Sequence, residues 1–431
     1  MKKLIALAAI VLIPFVMQAQ LGRLMDRTRN KVQQRADNKT DKAIDKVLDE
    51  AEGKNTAAQT APPPQQPVAA PVSQESATDQ VISYSKFDFV PGAKVIYAED
   101  FAQDEIGELP LNWNTGGKAE LVTINSFKGK WLRLYQNALY LSSNTDTFSR
   151  NFTIEFDVIL QLDRTIGYSY PYFSFGFFSS NGKAPNDNEF LSSGYRKYSS
   201  AEIFTRLSTG GSTGTYVETH DEGKRFFVSE VQGLPGLEKT YNKITHISIQ
   251  VQGKRMRVWF NDEKKFDLPM AVGQSSIMNQ IFFKVHSSSY KDDQLGFYIG
   301  NLKVATGKPD ARHKLVEEGK FSTTGILFDH QSAVIKPESF GVIREVANVL
   351  NEHGSIRIKV LGHTSSDGDD NANMELSRQR ATAVKAALEK EFGIEGTRIE
   401  TEGRGETQPV GDNKTKEGKA QNRRVEFVKL Q

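Results

Sequence analysis

The chain has 431 residues, with 55 Lys+Arg against 53 Asp+Glu and no cysteine. That balance argues against nucleic-acid binding carried by bulk basic charge. The lack of cysteine excludes disulfide scaffolds, thiolate metal sites and cysteine nucleophiles, and offers no thiol for lipid attachment, so the expectation is not a lipoprotein.

Residues 1–20 read as a signal peptide: Lys2 and Lys3, an apolar run from Leu4 to Val16, then Met17-Gln18-Ala19-Gln20 as a cleavage zone. The run is short for a membrane span. An exported, cysteine-free chain suits a bacterial envelope, with a periplasmic, outer-membrane-associated location.

Residues 21–50 form a charged amphipathic segment, with Leu21, Leu24, Met25, Val32, Ala36, Ile44, Val47 and Leu48 at helical spacing. Two readings stay open, a partner-packing helix and a solvated one. Residues 51–80 carry Pro62, Pro63, Pro64, Pro67 and Pro71 among Ala, Gln, Ser and Thr, the composition of an extended linker.

Residues 81–307 alternate with period two. Phe152, Ile154, Phe156 and Val158 share one face, and Ile247, Ile249 and Val251 another. Many short strands and Gly- and Asn-rich turns predict an all-β sandwich. A membrane-spanning barrel is the alternative. Against it, Asp157-Val158-Ile159-Leu160 is apolar on both faces late in its strand.

Residues 315–431 read as β-α-β-α-β-β. Ile326–Phe328 is a short strand, and Pro337 opens a helix to about Glu352 with Ile343, Val346, Ala347 and Leu350 inward. Ile356–Leu361 is a strand, Leu376–Phe392 a helix closed by Gly393, and Arg398–Gly403 and Val425–Leu430 are strands.

The motifs Gly325-Ile326-Leu327-Phe328-Asp329, Gly362-His363-Thr364, Leu376-Ser377 with Arg380-Ala381, Gly403-Arg404-Gly405-Glu406 and Asn422-Arg423-Arg424-Val425-Glu426 follow in order. Over about residues 320–431 the chain resembles the OmpA-like peptidoglycan-binding family. The resemblance implies recognition of the diaminopimelate end of a peptidoglycan stem peptide, an ammonium beside a carboxylate. A guanidinium suits the carboxylate, which it can bind bidentately. The family's Arg falls on Arg380, and its Asp on Ser365, which carries no charge. Asp367, two residues on, is a candidate replacement; a solvated acidic turn is the other reading. Thr364, Asn373, Phe328 and Asp329 complete the candidate binding set, while Asn422 and Arg423 read as supports of the last strand.

Glu99-Asp100-Phe101, Trp113-Asn114, Gly129-Lys130-Trp131 and Val258-Trp259-Phe260-Asn261 give residues 81–307 a likeness to concanavalin A-like, laminin G-like jelly rolls. Such a fold implies a carbohydrate or protein ligand. On alternation Tyr170 and Tyr172 share a face that could stack sugars. Glu155-Phe156-Asp157 matches two acids of that fold's glycosidase strand, but Ile159 and Leu160 fill the third position, so no enzyme is expected. The seven His are scattered, and no metal or cofactor is expected. The whole reads as a non-enzymatic envelope protein held to peptidoglycan. A barrel carrying the same C-terminal domain and a glycan-active enzyme remain as alternatives.

Overall fold

The computed structural model describes residues 88–430 apart from 163, 164, 166, 210 and 309. The expected signal peptide, charged helix and linker lie outside the described residues. The described residues belong to one unit, multidomain and rich in strands.

Two large antiparallel sheets face each other. The first runs Glu263–Leu268, Arg255–Phe260, Ile244–Gln252, Asn151–Leu162, Leu295–Thr306, Phe127–Leu134, Ala119–Ile124, with Lys94–Glu99 also on Leu295–Thr306. The second runs Lys224–Val228, Gly214–Asp221, Ser200–Arg206, Phe173–Phe178, Gln280–Val285, Ala138–Leu141, Asn114–Thr115, with Gln232–Gly233 on Gly214–Asp221. Each path ends at two different edge strands, so these are two open layers and not the closed barrel that alternation also allowed.

Alternation explains the packing. Phe152, Ile154, Phe156 and Val158 point into a core shared with Phe173, Phe175 and Phe177. Phe156 meets Phe175 edge-on at 5.1 Å and Phe283 at 5.0 Å. Glu155 and Asp157 point the other way, yet both are buried. Lys303 Nζ lies 3.0 Å from Glu155 Oε1, and His246 Nδ1 lies 2.7 Å from Asp157 Oδ1. Asn301, in a bulge with φ of 52°, donates Nδ2 to Asp157 Oδ2 at 2.8 Å. The two acids of the glycosidase-like strand are thus matched to cations on the face away from the core.

The C-terminal part holds helix α1 (Ala311–Val316), α2 (Phe340–Glu352), α3 (Asp370–Phe392) and α4 (Lys416–Asn422). Its four strands are ordered Lys320–Thr323, Val425–Lys429, Ile358–Gly362, Ile399–Gly403, with the last pair parallel. The expected strand at Ile326–Phe328 is only a bridge between Phe328 and Ile335; the first strand is Lys320–Thr323. A short helix, α4, also stands between the last two strands, where none was expected.

Residues 88–92 run between the two parts. Phe89 packs on Trp259 with ring centroids 5.2 Å apart, and Trp259 Nε1 donates to Asp88 Oδ1 at 3.0 Å. Val90 enters the C-terminal core. Helix α2 approaches so closely that a Cβ at Gly341 would sit 2.3 Å from the Phe89 carbonyl oxygen. That contact requires glycine.

Helix α4 holds the edge strand Lys94–Glu99. Gln421 Oε1 accepts Val95 N–H at 2.8 Å, and Glu417 Oε1 accepts Ala98 N–H at 3.2 Å. Ala420 packs on Val95, Ala98 and Ala305. An open strand edge is thereby covered from within the chain.

Candidate functional site

The site gathers where strand Ile358–Gly362 ends. A Cβ at Gly362 would lie 2.1 Å from the Ser377 carbonyl oxygen, so α3 can cross the strand end only over a glycine. Beyond it His363 N–H donates to Arg424 O at 3.0 Å and Thr364 N–H to Gly405 O at 2.9 Å. Asp369 caps α3, accepting from Ala372 N–H at 2.9 Å. The cap fixes the start of the helix and so aims Arg380.

Arg380 is half-buried. Its guanidinium lies over the Phe328 ring, 4.9 Å from the centroid, and Nε donates to Ser332 O at 3.0 Å. No carboxylate pairs with it among the described residues. Burial, then the charge of nearby Arg423, pushes it down to about 10, so it remains charged at neutral pH. A guanidinium with donors to spare and no anion is suited to an incoming carboxylate.

Ser365 is 5% exposed, and its hydroxyl donates to Asp367 Oδ2 at 3.0 Å. Asp367, whose side chain is 55% exposed, pairs with Lys419 Nζ at 2.6 Å, while Arg423 Nη1 stands 3.9 Å away. Burial opposes ionisation of Asp367, but the hydrogen bonds from Lys419 and Ser365 outweigh it and hold the carboxyl below its ordinary value. Asp367 therefore lies against Ser365 while its side chain stays largely open to solvent. Its charge is already matched.

Asn373 is buried and ties the loop together. Its Nδ2 donates to Asp367 O at 3.1 Å and to Glu406 Oε2 at 2.7 Å. Thr364 is 6% exposed, and its hydroxyl has no partner among the described residues. Asp329 is exposed in a turn, its N–H bonded to Val334 O at 3.1 Å. The structure thus brings Phe328 to Arg380 and gathers Ser365, Asp367 and Asn373 in one loop.

Sequence reasoning passed over Lys419. Of the two residues read as supports of the last strand, Arg423 places Nη1 3.9 Å from Asp367 Oδ2, and Asn422 holds the loop before α4, accepting Val410 N–H at 2.7 Å. The signal available was the i, i+4 spacing of Lys419 and Arg423. It went unread because Gly418 and a length of seven residues hide the helix.

The two tyrosines do not share a face. Tyr170 is 7% exposed in the core and stacks on Tyr290 at 5.1 Å. Tyr172 is 37% exposed, beside His286 at 6.0 Å. The strand begins only at Phe173, after Pro171, so alternation does not extend back to Tyr170.

Residues 327–423 match the OmpA family. This segment is an OmpA family domain. It is 45% identical over 103 residues to the probable lipoprotein YiaD of Escherichia coli K12, covering 24% of this chain and 47% of the relative. It is 43% identical over 101 residues to outer membrane porin F of Pseudomonas aeruginosa, covering 23% and 29%. The chain therefore spans less than half the length of these two curated relatives. Among solved structures, the peptidoglycan-associated lipoprotein from Burkholderia pseudomallei is 24% identical, with a TM-score of 0.24, over 28% of this chain and all of that one. The type VI secretion cell wall anchor from Pseudomonas aeruginosa is 27% identical, with a TM-score of 0.25, over 29% of this chain. The OmpA family domain lies beside the two-sheet part, whose strands extend from Lys94 to Thr306.

Proposed function

We propose that this chain is a non-enzymatic envelope protein that holds peptidoglycan through its OmpA family domain, with Arg380 as the carboxylate-binding group. The observation that carries this reading is the half-buried Arg380 guanidinium over Phe328 with no carboxylate partner among the described residues. The ligand is the diaminopimelate end of a stem peptide, contacted by Arg380, Phe328, Thr364 and Ser365, with Asp367 and Asn373 shaping the loop and Asp329 at its rim. The two-sheet part reads as a jelly roll in which Tyr172 is the exposed aromatic that suits a glycan or an envelope protein. The outer-membrane names of the relatives support a periplasmic, outer-membrane-associated location.

The test is retention of the full chain on purified peptidoglycan sacculi. Arg380→Ala should lose most of the retention while the protein stays folded. Undiminished retention in that variant removes Arg380 from the site.

A further inference from the structure

The charges around Arg380 do not balance as a zwitterion-binding pocket should. A ligand carrying an ammonium beside a carboxylate needs an anion for the first and a cation for the second. Here the charged neighbour of Arg380 is another cation, Arg423, and Asp367 is engaged by Lys419 and Arg423 and not by Arg380. Lys419 already sits on Asp367 Oδ1 at 2.6 Å, and Arg423 stands 3.9 Å from Oδ2. Of the other carboxylates near the loop, Glu406 directs Oε2 to the Asn373 amide at 2.7 Å, and Asp369 accepts Ala372 N–H at 2.9 Å as the cap of α3.

The hydroxyls of Ser365 and Thr364 are neutral. The Ser365 hydroxyl hydrogen goes to Asp367, so its oxygen keeps acceptor capacity. Thr364 Oγ1 is buried without a hydrogen-bond partner among the described residues. Neutral oxygens of this kind accept an amide N–H well. They do not compensate an ammonium, which Arg380 and its neighbour Arg423 would also repel.

We propose that this pocket selects a carboxylate whose neighbouring amine is acylated over the same carboxylate beside a free ammonium. In peptidoglycan terms it prefers the cross-linked form of the diaminopimelate side chain, whose amine is an amide, to the uncross-linked form. The inference rests on the wall-binding reading above and narrows it. Ser365 and Lys419 are its specificity-determining residues: one withholds a charge, and the other occupies the charge two positions along.

Two probes separate the cases. One is the tripeptide L-Ala-γ-D-Glu-meso-diaminopimelate with its side-chain amine free. The other is the same peptide with that amine N-acetylated. By calorimetric titration of the full chain, the acetylated peptide should bind about fivefold more tightly, the scale of one partly exposed charge interaction. Ser365→Asp should reverse the order. Lys419→Gln, which frees Asp367, should narrow or reverse it. Equal affinities, or tighter binding of the free amine by the unaltered protein, overturn the selectivity while leaving wall binding intact. Failure of both peptides and of sacculi to bind overturns the wall-binding reading itself. Circular dichroism on each variant keeps a folding defect from passing as a change of preference.

Discussion

Lys416 Nζ stands 2.5 Å from Glu99 Oε1, joining helix α4 of the OmpA family domain to the edge strand of the first sheet. Asp104 Oδ2 lies 2.9 Å from the same nitrogen. Glu99 is buried, and burial pushes its carboxyl above the ordinary value despite the Lys416 partner. A carboxylate in that position depends on its cation, because losing one partner leaves the other charge buried and unmatched.

Lys416→Ala should therefore destabilise the protein by about 2 kcal/mol, less than for a fully enclosed pair because Lys416 is partly exposed. Adding Glu99→Gln should recover part of that loss. Urea denaturation of the single and double variants checks this, and strictly additive losses would mean the two residues are not coupled.

The buried group around His246 makes stability depend on pH. Burial disfavours the imidazolium, but Asp157 and Glu155 outweigh it and raise His246 to about 9 from 6.5. The stabilisation from this group is fully present below about 6.5 and is lost as pH rises through about 9. Asp157 is held below its ordinary value, so its share is lost instead as pH falls through the acid range. Thermal midpoints should drop between neutral pH and pH 9.5 by more in the unaltered protein than in His246→Gln. Parallel curves would refute the assignment.

Gly341 and Gly354 make a matched pair. A Cβ at Gly341 meets backbone 2.3 Å away, whereas one at Gly354 meets nothing within 4 Å. Gly341→Ala should cost about 2 kcal/mol by forcing α2 off the 88–92 segment. Gly354→Ala should be neutral or stabilise slightly, by reducing freedom in the unfolded chain. Denaturant titrations of both compare them directly.

Arg380→Lys keeps the charge but loses the planar fork and its stacking on Phe328. Retention on sacculi should fall about tenfold, and Phe328→Leu should cost about threefold by removing the aromatic platform alone. Co-sedimentation at low and high salt measures both. Wild-type retention in Arg380→Lys would mean a point charge suffices.

Elements with a strong local pattern were legible in the sequence. The apolar stripe after Pro337 and the Gly393 stop place α2 and much of α3 where they stand. Alternation gives the core face at Phe152–Val158. What escaped depends on pairing across long stretches of chain. Glu155 and Asp157 are visible as outward acids, but His246 and Lys303 reach them only through the register of neighbouring strands. Arg380 and Ser365 are legible by motif; that Lys419 holds Asp367 is not, since a helix and a distant loop are brought together by the fold. The 88–92 segment gives no local signal of its double contact, because its partners Trp259 and Gly341 are set by tertiary structure.

Helix α4 carries different partners on its two sides: Lys416, Glu417, Ala420 and Gln421 engage the edge strand, while Lys419 and Arg423 turn toward Asp367. The covalent connection between the two folded parts lies between Thr306 and Ala311 in the sequence, outside this helix. A pull applied at the Asp367 loop is therefore delivered to the first sheet sideways, through several polar contacts sharing the load along one strand. Such an arrangement resists in shear, with its bonds strained together, where a bare chain connection would take the tension alone.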